Sequence, residues 1–121
     1  NAFEICCVNH VPEIKAALGI AGVDTMEYAW RSETSEQGAQ IDLLIDRKDG
    51  VINLCEMKFT DDAFEVDKVE YGKLMNRLSI FQKETQPRKA IHMTLITANG
   101  FSNGKYASVF QNIITGEQLF Q

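Results

Sequence analysis

The stretch from Gln40 to Phe59 constrains this chain more than any other. Ile41, Leu43 and Ile45 alternate with Gln40, Asp42 and Asp46, and Leu44 makes the second face partly apolar. Arg47-Lys48-Asp49-Gly50 follows and is turn chemistry, with Asp-Gly its strong element. Val51 to Phe59 (VINLCEMKF) is then apolar on both faces except at Glu56 and Lys58. A strand apolar on both faces belongs in the middle of a sheet covered by helices. The expected class is therefore α/β, a sandwich around a central mixed β-sheet of about four to five strands flanked by helices.

The turn also sets a register. If Lys48 to Gly50 form the loop, Gly50 supplies the left-handed position that such a hairpin requires. Arg47 then pairs with Val51, Asp46 with Ile52, and Asp42 falls opposite Glu56. Directly opposed side chains lie about 4.5–5.5 Å apart at Cβ. Lys58, two residues beyond Glu56, projects from the same face. Glu and Lys are among the residues least often buried without partners. Two carboxylates in proximity repel unless a cation lies between them. A hard divalent cation, Mg²⁺ or Mn²⁺, takes oxygen ligands of this kind, and Asp42 and Glu56 are its candidate ligands. Such an ion polarises a phosphoryl oxygen and acidifies a bound water, which Lys58 would orient. A buried ion pair of Lys58 with Glu56 or Asp42 is the alternative that spacing leaves open. Asp46, next to the turn, reads as a solvated carboxylate.

The remaining elements follow from periodicity. Phe3, Cys7, His10, Ile14, Ala17 and Leu18 recur at helical spacing and predict helix from Ala2 to Leu18, stopped by Gly19. Pro12 lies inside it, so either the helix kinks there or a second one starts there. Val23 to Trp30 is a weaker extended segment, and Arg31 to Gly38 is loop-like. Val66, Val69, Tyr71, Leu74, Met75, Leu78 and Phe81 predict a helix from Glu65 to Glu84. Ala90 to Thr97 reads as a buried strand, Asn99 to Lys105 as a loop, Ala107 to Ile114 as a short strand or helix, and Thr115 to Phe120 as a closing helical turn. No repeat or internal boundary appears, so residues 1–121 are expected to form one domain.

Charge narrows the functional classes. The 17 acidic and 12 basic residues leave −5, which argues against a broad basic nucleic-acid platform. It does not argue against a small acidic metal site. No apolar run approaches the roughly 20 residues that span a bilayer. Cys6, Cys7 and Cys55 form no disulfide framework, and reduced thiols in a cytoplasmic protein are the simplest expectation.

Gly38-Ala39-Gln40-Ile41-Asp42 followed by Asn53-Leu54-Cys55-Glu56-Met57-Lys58 resembles the motif of the PD-(D/E)XK nuclease superfamily. More narrowly, the whole chain looks like the C-terminal, nuclease-like domain of bacterial and archaeal proteins in which an AAA-type ATPase module precedes it. The resemblance implies a restriction-endonuclease-like fold, a metal-dependent phosphodiesterase acting on DNA, and Asp42, Glu56 and Lys58 as catalytic residues. It also implies Glu4 on the opening helix as a further carboxylate, with the preceding ATPase domain or a second copy as partners. The alternative is an inactive nuclease-fold module that regulates the ATPase. Ile41 stands where the motif has Pro. No GxxxxGK[ST] loop occurs, so no ATP site belongs to these residues.

Other residues divide between site and structure. Lys73 and Arg77, at i and i+4, share a helix face that would lie beside the site and touch phosphate, or remain solvated. Gln40 shares Asp42's face and would bind the metal's water or pair structurally. Cys6 and His10 are a helical turn apart, but two ligands fall short of a zinc site. His92 and Cys55 read as core, and Trp30 and Tyr28 as packing residues that could also stack on a base.

Overall fold

A computed structural model describes residues 2–34 and 38–120. Chain order and sheet order coincide. Strands β1 (Thr25–Arg31), β2 (Gln40–Arg47), β3 (Val51–Lys58), β4 (Ala90–Thr97) and β5 (Asn112–Thr115) lie side by side as β1-β2-β3-β4-β5. The first three form an antiparallel meander, while β3–β4 and β4–β5 are parallel. Parallel neighbours need a long crossover. Helix α3 (Lys68–Thr85) provides it between β3 and β4, with its N-terminus capped by Asp67. The fold is thus the expected α/β sandwich around a mixed sheet, with five strands.

β3 occupies the centre and buries both faces. Ile52 and Leu54 pack towards α3, with Leu74 and Phe81 of that helix and Phe64, Val66 and Met93 around them. Cys55 and Met57 point the other way, into a second core with Cys7, Ile14 and Leu119. That core is roofed by α1 (Ala2–Val8), α2 (Val11–Ala17) and α4 (Gly116–Leu119). Each fully buried Leu, Ile or Phe contributes about 1.5–3 kcal/mol. A strand that supplies both cores anchors the sheet.

Several boundaries differ from the sequence reading for physical reasons. The first helix is two: α1 ends at Val8 and α2 begins at Val11, with Pro12 in its first turn, where the missing N–H costs nothing. Gly19, at φ +74°, then lets Ile20 N donate to Lys15 O and closes α2. α3 starts at Lys68 rather than Glu65, because Asp67 takes Glu70 N on its side chain and fixes the first turn. Val66 is therefore core from the loop, and Val69 and Met75 are exposed. Phe59, expected at the end of β3, lies beyond it and is exposed. Residues 107–114 hold both elements in turn, a 3-10 turn (Ala107–Val109) and the start of β5. No helix among the described residues is long and apolar enough to cross a membrane.

Candidate functional site

The hairpin has the register that its turn chemistry demands. Asp46 faces Ile52 and Leu43 faces Cys55, across a loop of Lys48–Gly50 in which Gly50 has φ +94°. Arg47 holds Asp49 of that loop through Nε and Nη2, at 2.9 and 2.6 Å, which keeps the Asp49 carboxyl below its usual range. The next positions in line are Asp42 and Glu56.

A β-bulge modifies the outer half of β2. Tyr28 pairs with Leu44 and Trp30 with Ile41, so Asp42 and Leu43 together face Ala29. One extra residue on β2 breaks the alternation expected from Ile41, Leu43 and Ile45. Ile41 packs in the α3 core, whereas Leu43 and Ile45 pack in the opposite one. Bulges re-aim side chains in this way, and Asp42 sits at the switch.

There the chain forms a cavity of about 210 Å³ lined by Glu4, Gln40, Ile41, Asp42, Cys55, Glu56, Met57, Lys58 and Arg77. Glu4 comes from α1, Gln40 and Asp42 from β2, Glu56 and Lys58 from β3, and Arg77 from α3. Three carboxylates and two cations therefore meet where four elements converge. Asp42 Oδ1 accepts from Gln40 Nε2 at 2.8 Å, and Gln40 Oε1 accepts from Arg31 at 3.0 Å. Glu56 is 12% exposed at its side chain; Lys58 Nζ lies 3.4 Å from its Oε1, and Arg77 donates to its Oε2. Lys58 Nζ also lies 3.3 Å from Glu70 Oε2 and 5.6 Å from the centre of the Phe64 ring.

The two readings left open by spacing are thus partly combined. Glu56 and Lys58 do form an ion pair, and they do so on the wall of a cavity that Asp42 also lines. The donor set suits a hard cation, because its candidate ligands are carboxylate oxygens. Among the described residues no three His, Cys, Asp or Glu side chains are grouped to hold a metal. An ion at Asp42 and Glu56 would complete its shell with water, as Mg²⁺ commonly does. Such an ion would also compete with Arg77 and Lys58 for Glu56.

A second cavity, of about 250 Å³, adjoins the first and shares Gln40 and Arg77 with it; Lys73, Asn76, Ile80, Gly38 and Ala39 complete its lining. Lys73 and Arg77 therefore do share a face beside the site. Glu70 and Asn76 were missed by the sequence reading. The signal for Glu70 was present: it stands three residues after the capping Asp67 and seven before Arg77, on one side of the helix.

Residues read as structural largely are. His10 Nδ1 donates to the Cys6 carbonyl at 2.7 Å, and its ring meets Phe120 edge-on, so Cys6 and His10 make a local helix contact. Trp30 packs edge-on against Phe81. Tyr28 is 39% exposed on β1, and His92 is half-buried on β4. Cys55 is fully enclosed, and burial pushes its thiol well above the usual range; burial, with Cys6 and Glu4 nearby, pushes Cys7 up to about 12. Asp46 is not simply solvated, because Lys89 bonds it at 2.6 Å and reaches the Arg47 carbonyl as well. Asp46 also helps burial raise the Tyr28 hydroxyl.

Comparison with known proteins places the fold and leaves the chemistry to the site. No family model matches the sequence, and no curated protein matches it. Among solved structures, the chain is similar to the crystal structure of a protein of unknown function, AF1548, with 19% identity and a TM-score of 0.54. The match covers 84% of this chain and 53% of that one, so the chain spans about half the length of that protein. The likeness is one of fold.

Proposed function

We propose that this chain is a metal-dependent phosphodiesterase domain of the PD-(D/E)XK nuclease type, acting on DNA with Mg²⁺ or Mn²⁺. The observation that carries the reading is that Glu4, Gln40, Asp42, Glu56, Lys58 and Arg77, singled out from sequence, line one cavity. Asp42 and Glu56 would hold the cation, with Glu4 alongside. The cation, when bound, supplies Lewis-acid polarisation of a phosphoryl oxygen and an acidified water. Lys58, held between Glu56 and Glu70, is aimed at the same space and orients that water or balances developing charge. Gln40, Lys73 and Arg77 would receive the phosphate backbone from the adjoining cavity. Reduced thiols and a cytoplasmic setting accompany this reading.

One observation favours a second reading. Both oxygens of Glu56 already meet protein cations, and the chain carries −5 overall. An inactive nuclease fold that contacts an ATPase module of its own chain would retain Glu56, Lys58 and Arg77 as structure.

Plasmid and single-stranded DNA incubated with Mn²⁺ separate the two. Cleavage by the wild type that Lys58→Ala lacks supports the phosphodiesterase. Equal background from both proteins would sink it. Thermal unfolding with and without Mn²⁺ provides a check independent of turnover, since an ion bound only by the folded state must raise Tm.

A further inference from the structure

Two adjoining cavities of opposite character share one arginine. The first is lined by Glu4, Asp42 and Glu56 against Lys58 and Arg77. The second holds Lys73 and Arg77 with the amides of Gln40 and Asn76, and among the described residues no carboxylate lines it. On a chain with net charge −5, a recess whose charged lining among the described residues is Lys73 and Arg77 is a local reversal of sign. Arg77 reaches out of this recess to Glu56 Oε2, on the wall of the acidic cavity.

We infer that Arg77 is a placeholder cation: it occupies Glu56 until a divalent ion takes that carboxylate, and its release completes a phosphodiester subsite with Lys73, Gln40 and Asn76. This rests on the metal-dependent reading above and deepens it. A carboxylate oxygen in partly excluded space cannot serve a guanidinium and a divalent cation equally, because the two positive charges repel at close range. Once the ion holds Asp42 and Glu56, Arg77 loses its counter-charge. It then stands with Lys73 over the recess, two like charges with no carboxylate of the described residues in the lining. A phosphodiester oxygen restores the balance, and a guanidinium is well shaped to grip it. Cation binding and backbone binding are thereby linked, and the linkage is reciprocal. The same device keeps the acidic cavity neutralised and the anion recess weak when no ion is present.

Isothermal titration of Mn²⁺ into wild type, Arg77→Ala and Arg77→Lys tests the competition. A labelled oligothymidylate, read by anisotropy in EDTA and in Mn²⁺ and checked for length by gel, tests the subsite. Arg77→Ala should take Mn²⁺ several-fold more tightly than the wild type, and Arg77→Lys should stay close to it. Mn²⁺ should tighten the oligonucleotide roughly tenfold for the wild type, and most of that gain should vanish in Arg77→Ala and Lys73→Ala. Arg77→Ala that binds Mn²⁺ no better than a wild type that does bind it overturns the placeholder and leaves the metal reading standing. An undiminished Mn²⁺ gain in both variants overturns the subsite. No Mn²⁺ binding by any of the proteins removes the metal reading and this inference together. Unfolding curves of each variant establish that it is folded, and Arg77→Gln replaces Arg77→Ala if the alanine protein is not.

Discussion

Lys58 Nζ stands 3.3 Å from Glu70 Oε2, tying the end of β3 to the first turn of α3. Glu70 is itself fixed, because its backbone N–H is held by the Asp67 cap. Lys58 is thus aimed from two sides, by Glu56 on its own strand and by Glu70 across the layer. On the phosphodiesterase reading Glu70 positions Lys58 without touching DNA. Glu70→Gln should therefore lower kcat several-fold while KM for DNA changes little, and Glu70→Asp should recover part of the loss. The effect on stability should be small, about 0–1 kcal/mol, because both side chains are a quarter exposed. Steady-state kinetics beside a urea titration checks both halves; equal losses in stability and turnover would reduce Glu70 to a structural role.

The three thiols should differ in reactivity. Cys55 is enclosed in β3, and Cys7 is fully buried on the inner face of α1. Cys6 is half-buried. Under native conditions an alkylating reagent should label Cys6 first, with Cys7 and Cys55 reacting on the timescale of unfolding. Mass spectrometry of the labelled protein checks the order.

The same burial gives a direction in pH. Cys7 ionises near 9.0 when exposed and is pushed up to about 12 in the fold, so the folded state keeps the proton longer. Its contribution is whole below about pH 9 and is lost progressively as the pH rises towards 12. Cys7→Ala should flatten the fall of stability with pH above 9 relative to wild type, beside an overall loss from the smaller side chain. Denaturant unfolding at a series of alkaline pH values reads the slope.

Gly116 opens α4 against the backbone of Ala98, just past the end of β4. A Cβ there would meet the Ala98 carbonyl oxygen at 2.6 Å, and backbone cannot swing aside as a side chain can. Gly116→Ala should cost about 1–3 kcal/mol by overpacking. A Tm unchanged by the substitution would show that α4 moves freely off Ala98.

Asn53 lies wholly buried in β3 and joins three strands. Its amide donates to Thr94 Oγ1 at 3.0 Å and to Asn112 Oδ1 at 3.3 Å, and its oxygen accepts from Arg47 at 3.2 Å. Asn53→Ala leaves those groups short of a partner in a dry setting and should cost about 1–3 kcal/mol. Calorimetric melts of Asn53→Ala, Thr94→Ala and the double variant would also measure their coupling.

How far the sequence carried the argument depends on the kind of physics at each residue. The hairpin was legible because Gly50 and the polar pair Glu56 and Lys58 act locally: turn chemistry sets register, and register sets what shares a face. The bulge at Asp42 and Leu43 was not legible, since it depends on how β1 is laid beside β2 and leaves no mark in the alternation of β2 itself. Arg77 was visible as one of two cations on a helix face. Its bond to Glu56 was not, because that requires knowing how α3 lies across β3. Val66 fits the helical period and draws the expected start of α3 back to Glu65; the Asp67 cap outranks that pattern. Lys89 at Asp46 is a long-range pair without any local signature.

Strand order equal to chain order has a kinetic consequence. The meander β1-β2-β3 can close through short local loops, whereas pairing Val51 with Ala90 must wait for the whole crossover to be ordered. Loop-closure entropy makes the first step cheap and the second slow. Folding should therefore build the half that bears Asp42, Glu56 and Lys58 before α3 arrives with Arg77 and Glu70. Pulse-labelled hydrogen exchange would show it as early protection of β2 amides and late protection of β4 and β5. In the meantime the uncovered β3, apolar on both faces, is the segment most prone to self-association, and the docking of α3 ends that exposure.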